Sequence, residues 1–113
     1  LASSDYNNDV TALLQQDYVQ SFPEKVKAIK IAKQELLAAE HIDESLKILQ
    51  NTTHIIVGSS GAYGFEQIRS IAGDIEFLCN QYISIHRQTY HQESIHLIQK
   101  YLDKCIMLFQ AYM

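Results

Sequence analysis

The residues best suited to chemistry lie in one segment, Thr53-His54-Ile55-Ile56-Val57-Gly58-Ser59-Ser60-Gly61-Ala62-Tyr63-Gly64-Phe65. It holds a histidine and three of the four glycines, inside a sequence otherwise patterned for helix. Leu46, Leu49, Thr53, Ile56 and Ser60 recur at helical spacing and predict a buried stripe. His54 falls roughly 140° from the centre of that stripe, so its imidazole is expected to face solvent. Gly58 stands one turn above the histidine, and Gly61 continues the same strip. A glycine inside a helix costs about 1 kcal/mol relative to alanine. Two of them beside an exposed ring read as clearance for something that must approach closely. A neutral imidazole, with an ordinary pKa of about 6.5, has a free lone pair near pH 7 and is a good nucleophile. The predicted chemistry is nucleophilic, at a histidine presented to a partner.

Attack by one ring nitrogen requires the other to be held, so the elements that position the ring come next. Phe65, Ile68, Ala72, Ile75, Cys79 and Tyr82 repeat by threes and fours and predict a fourth helix ending near His86. With the intervening turn near Tyr63, His54 comes level with about Ala72 of an antiparallel partner. Side chains lean toward the N-terminus of their own helix. That lean carries His54 away from the turn and brings Glu76 back toward it. Glu76 also flanks its helix's apolar stripe, and is the candidate holder of the proton-bearing nitrogen. The plain alternative is a solvated edge glutamate.

The remaining elements follow the same patterning. Residues 1–8 are polar and expected to fray, and Val10, Leu13, Leu14 and Tyr18 predict a short amphipathic helix from Asp9. Ser21-Phe22-Pro23-Glu24 signals a second helix, with Ser21 as cap. That helix runs to about Glu40 and buries Val26, Ile29, Ala32, Leu36 and Ala39, while Lys25, Lys27, Lys30 and Lys33 mostly cover its solvent side. His41-Ile42-Asp43 makes a turn in which Asp43 caps the third helix, which ends near Ala62. After Arg87-Gln88-Thr89, Ile95, Ile98, Leu102, Cys105, Leu108 and Tyr112 pattern the last helix. Four long helices with short connections predict an all-α, antiparallel up-down four-helix bundle with a short extra N-terminal helix, as a single domain over 1–113.

The order His54, Gly58, Ser59, Ser60, Gly61, then Gly64-Phe65 resembles the phosphoacceptor segment of histidine-containing phosphotransfer (HPt) domains, in the version that begins chemotaxis-type histidine kinases. The resemblance runs from about Tyr18 to the end of the chain, with its specificity in this one segment. It implies a phosphorelay role, in which His54 accepts a phosphoryl group from receiver-domain aspartates and passes it on. The implied partners are a response-regulator receiver domain or a histidine kinase, and no ATP site or cofactor is implied. The family position matching Glu76 holds a glutamate or glutamine bonded to the histidine, in agreement with the helix geometry. Gln50, Val57, Gly58 and Gly61 are expected at the docking surface. One departure matters: the family usually has a lysine three residues after the histidine, and here that position is Val57. Such a lysine supplies positive charge to the phosphoryl oxygens. Arg69, nearer the bend on a similar flank to Glu76, is the candidate substitute, whereas Lys47 is two turns away on the histidine's face. In the resembled systems the receiver brings its own metal and lysine. The departure leaves a second function open, a phosphorylation-silent docking module that binds without transfer.

Other readings of the same residues are weaker. His54-Ile55-Ile56-Val57 as a strand before a nucleotide-binding turn would need Gly-x-Gly-x-x-Gly, and the spacing is Gly-x-x-Gly-x-x-Gly. The next strand-like run, Tyr82-Ile83-Ser84-Ile85, ends at Arg87 where a ribose-binding acid belongs. His86, His91 and His96 stand about 140° apart on a helix, and no His/Cys pairing at ligand spacing suggests zinc. Ser59 and Ser60 read as packing residues. The net charge of −4 argues against nucleic acid, whose phosphates need a basic footprint. Cys79 and Cys105 sit on apolar positions and read as reduced core residues, with a disulfide as the alternative. No apolar run approaches the ~20 residues of a membrane span and no signal peptide is evident. A cytoplasmic monomer without membrane contact is expected. The chain opens on Leu1, as a piece of a longer protein would, which leaves its parent and signal open.

Overall fold

Apolar residues spaced by threes and fours give five helices in the computed structural model of the chain, which describes residues 2–38, 41–85 and 92–113. They are α1 (Ala2–Val19), α2 (Phe22–Ala38), α3 (Ile42–Ala62), α4 (Glu66–Ile85) and α5 (Gln92–Gln110). The described residues are all-helical with no strand, and His54 to Val57 lie inside α3, which removes the strand reading. Extensive contacts join α2 to α3, α3 to α4, α4 to α5 and α5 to α2, with α3–α4 the largest interface. Among the described residues no helix is long and apolar enough to cross a membrane.

One apolar core fills the space between these four helices. The predicted stripes enter it: Val26, Ile29, Ala32 and Leu36 from α2, Leu46, Leu49, Thr53, Ile56 and Ser60 from α3, and Ile68, Ala72, Ile75 and Cys79 from α4. On α5 the periodicity from Cys105 continues to Phe109, which is fully buried, while Leu108 is half-buried and Tyr112 is 49% exposed. A four-residue step there follows the inner face more closely than the three-residue step to Leu108. At one end Phe22 is the hub of a ring cluster. It meets Phe109 at 4.7 Å, Tyr18 at 5.2 Å, Phe65 at 5.4 Å and Tyr112 at 5.9 Å, all edge-on.

The turn that sets α3 against α4 is local chemistry. Gly64 takes φ +82°, a left-handed conformation that glycine adopts without steric cost. Its N–H donates to the Gly61 carbonyl at 3.2 Å, and the Phe65 N–H reaches back to the Ser60 carbonyl at 2.8 Å. This is the Schellman arrangement, which satisfies carbonyls that a helix end leaves open. Phe65 then enters the core, and α4 begins at the next residue, Glu66.

Several expectations about helix ends are corrected. The first helix starts at Ala2 rather than near Asp9. It also stands outside the ring of large interfaces: Val10, Leu13 and Leu14 are exposed, Leu13 by 62%. Its C-terminal end is seated on the α3–α4 turn. Tyr18 stacks on Tyr63 at 4.6 Å, and Gln15 Nε2 donates to the Tyr63 carbonyl at 2.8 Å. Tyr18 Oη lies 2.6 Å from Ser59 Oγ. The Ser59 proton is already given to the Ile55 carbonyl, so Tyr18 donates, and burial holds its phenol protonated. Ser21 precedes α2 as expected, and its carbonyl accepts from the Lys25 amide. Its hydroxyl, however, donates back to the Tyr18 carbonyl at 2.6 Å instead of capping α2. The N-cap of α3 is His41, without a side-chain cap bond, and Asp43 lies in the first turn with Glu44. There both carboxylates still favour the positive helix end. Ala39, Glu40, His86, Arg87-Gln88-Thr89 and His91 lie outside the described residues.

Cys79 and Cys105 are free and buried. Burial pushes each thiol up to about 12, aided at Cys79 by the Glu76 charge. Only the thiolate is nucleophilic. At pH 8 the folded protein is therefore expected to leave both cysteines unmodified by iodoacetamide, with both reacting in denaturant. Mass spectrometry checks this, and rapid native alkylation of either would contradict its burial.

Candidate functional site

The stripe that buries Thr53 and Ile56 turns His54 outward, and its side chain is 74% exposed. Across the interface Ile75 is fully buried on α4, which leaves its neighbour Glu76 at the rim, 23% exposed. His54 Nδ1 lies 2.7 Å from Glu76 Oε2. A carboxylate accepts only, so Nδ1 carries the proton of the neutral ring. The lone pair is thereby assigned to Nε2. The structure thus brings together the two residues that helix geometry paired from the sequence.

A second polar rung lies beside the first. Gln50, one turn before His54, donates from Nε2 to Asn80 Oδ1, one turn after Glu76. Gln50, Asn51, His54, Glu76 and Asn80 line one open cleft. Asn51 and Asn80 were not anticipated from the sequence. Their signal was the helical offset alone, since Asn80 stands to Glu76 as Gln50 stands to His54.

The other candidates fall into distinct places. Val57 is half-buried, and its Cγ2 lies 3.9 Å from where a β-carbon on Gly73 would sit, so it packs across α4. Gly58 is exposed, with no atom within 4 Å of an added β-carbon. Its small size is not demanded by the fold. Gly61 differs, since a β-carbon there would meet Arg69 Cδ at 2.8 Å. The Arg69 stem therefore occupies that side of the strip. Its guanidinium is bonded to Glu66, with Nε and the terminal nitrogen each 2.8 Å from Oε2. Arg69 precedes Glu76 by about two turns, roughly 10 Å along α4, and does not line the cleft around the imidazole. Among the described residues no group of three potential metal ligands forms.

The rung from Glu76 makes a direct prediction. In Glu76→Ala the Nδ1 proton loses its acceptor, and ring nitrogen NMR should show a mixture of the two neutral tautomers in place of one. Stability should fall by less than about 1 kcal/mol, because half of the pair is in water. Unchanged tautomer signals would reduce Glu76 to a solvated edge residue.

Comparison of the chain with protein-family models, with curated proteins and with solved structures returned no match.

Proposed function

We propose that this chain is a phosphorelay intermediate, an antiparallel up-down helical bundle of the kind found in HPt domains, acting through His54. The observation that supports the reading most is the 2.7 Å bond from Nδ1 to Glu76 on a ring that is otherwise exposed. An ordinary surface histidine has neither a fixed tautomer nor a carboxylate behind it. In the proposed reaction the Nε2 lone pair attacks the phosphorus of a receiver aspartyl phosphate. The N–P bond forms, the P–O bond to the aspartate breaks, and the aspartate leaves as a carboxylate with the electron pair. Glu76 faces the positive charge that grows on the ring, and Nδ1 keeps its proton throughout. The reverse reaction returns the group to a receiver. The chain is a stoichiometric carrier in this reading, and it would meet its partners in the cytoplasm.

The test is to incubate the protein with receiver domains labelled from radioactive acetyl phosphate. A label that is lost in acid and kept in alkali marks a phosphoramidate. A second reading is favoured by Val57, which packs against α4 where the resembled family offers a lysine. A phosphorylation-silent docking module would bind the same receivers and take no label.

Gly58 gives a further expectation. A β-carbon at this position meets open space, so Gly58→Leu should fold normally and gain up to about 1 kcal/mol from helix propensity. Receiver docking or transfer should nonetheless fall by about a hundredfold, as expected when reacting atoms are held off by about an ångström. Thermal melts and transfer rates measured on one preparation check both halves. Unimpaired transfer would show that no partner closes over this part of α3.

A further inference from the structure

A phosphoryl group on His54 would bring two negative charges into a cleft already holding the Glu76 carboxylate. No cationic side chain lines that cleft among the described residues; its walls are Gln50, Asn51, His54, Glu76 and Asn80. Val57 is packed on α4, and Arg69 is bonded to Glu66 about two turns away. What the cleft does contain is amides. Each primary amide carries two N–H donors and one acceptor oxygen. The bond from Gln50 to Asn80 engages one donor and one oxygen, and leaves three N–H groups across the pair. That remainder is the same whichever way the two amides are assigned. The His54 side chain leans toward the N-terminus of α3, the direction in which Gln50 lies.

Resting on the phosphoacceptor reading, we propose that Gln50 and Asn80 form a neutral amide cradle that hydrogen-bonds the phosphoryl oxygens carried by His54, in place of a cation. The rung preorganises the donors, since each amide is held by the other before any phosphoryl group arrives. The cradle offsets the repulsion between the phosphoryl oxygens and Glu76. That repulsion is relieved when the N–P bond breaks, so losing the cradle should hasten hydrolysis. In that step a water oxygen bonds to phosphorus, the N–P electron pair returns to Nε2, and phosphate departs. Hydrogen bonds to a charged group of this kind correspond to about tenfold each in an equilibrium or rate.

The test needs no receiver. Phosphoramidate, a small-molecule donor, is used to phosphorylate exposed imidazoles, and His54→Gln identifies the ³¹P resonance that belongs to residue 54. In Gln50→Ala/Asn80→Ala that resonance should move, and its decay should quicken by at least about tenfold. Asn80→Asp separates a cradle from a mere structural tie. It keeps an oxygen for Gln50 to bond but replaces the Asn80 donors with a negative charge, so the phosphohistidine should be shortest-lived there. Adding Val57→Lys to the double alanine variant should restore the lifetime, because a lysine stem can lie along α4 with its charge in water. Circular dichroism confirms that each variant folds. An unmoved resonance with an unchanged lifetime in both Asn80→Asp and the double variant would overturn the cradle. Failure of receiver labelling with these effects intact would instead count against the relay reading.

Discussion

Under the proposed relay, His54→Gln is expected to take no label from any phosphorylated receiver, while melting within about 1 kcal/mol of the parent. The two halves have separate causes. An amide nitrogen has no lone pair available for attack, because it is delocalised into the carbonyl, so the nucleophile is lost outright. Stability is spared because the side chain is 74% exposed and supports no core contact. Glutamine can also still donate to Glu76, so the carboxylate is not left bare. A rate measurement should therefore show signal at background, not a partial decline. Equal labelling of parent and variant would move the phosphoryl group elsewhere, with the exposed His41 and His96 next to be tested.

The largest loss of stability is expected from Phe22→Ala. Phe22 is fully buried and touches four other rings. Removing a buried phenylalanine costs about 3–5 kcal/mol, from lost transfer energy and from the cavity it leaves. Against a typical total of about 5–15 kcal/mol that is a large fraction. The melting midpoint should fall by about 4–8 °C for each kcal/mol lost in a domain of this size. Tyr18 packs on Phe22 at 5.2 Å, so the seat of α1 should loosen with it. Urea titration followed by circular dichroism gives the number, and Leu13→Ala, exposed on α1, is the near-neutral control. A change below about 1 kcal/mol would mean that the surrounding rings collapse into the space, the case in which cavity costs are smallest.

What could be read from the sequence was whatever repeats. The α3 and α4 stripes showed which way His54 and Glu76 point, and the turn placed near Tyr63 set one helix against the other. Those two facts sufficed to pair the residues. Features decided by a single contact were out of reach. The Gln50–Asn80 rung has no periodic signature, because polar residues occupy exposed helix faces generally. The reason for Gly61 emerged only once Arg69 lay across it. Leu108 and Phe109 were ambiguous, since steps of three and four both keep to one helical face. The fate of Leu13 and Leu14 depends on whether a neighbouring helix exists to cover them. Amphipathic spacing cannot supply that.

The tight turn at Gly64 has a kinetic consequence. Both rungs of the cleft join α3 to α4, with sequence separations of 22 and 30 residues. A loop of that length costs less entropy to close than the longer one that joins α2 to α5. The cleft can therefore assemble as soon as one hairpin of two helices closes, ahead of the distant α2–α5 pairing that completes the core. Core substitutions on α5, such as Phe109→Ala, should then mainly accelerate unfolding and leave the folding rate nearly intact, whereas truncating Ile56 or Ile75 should slow folding itself. The order in which the chain builds its parts would place the pair of helices that carries the cleft first.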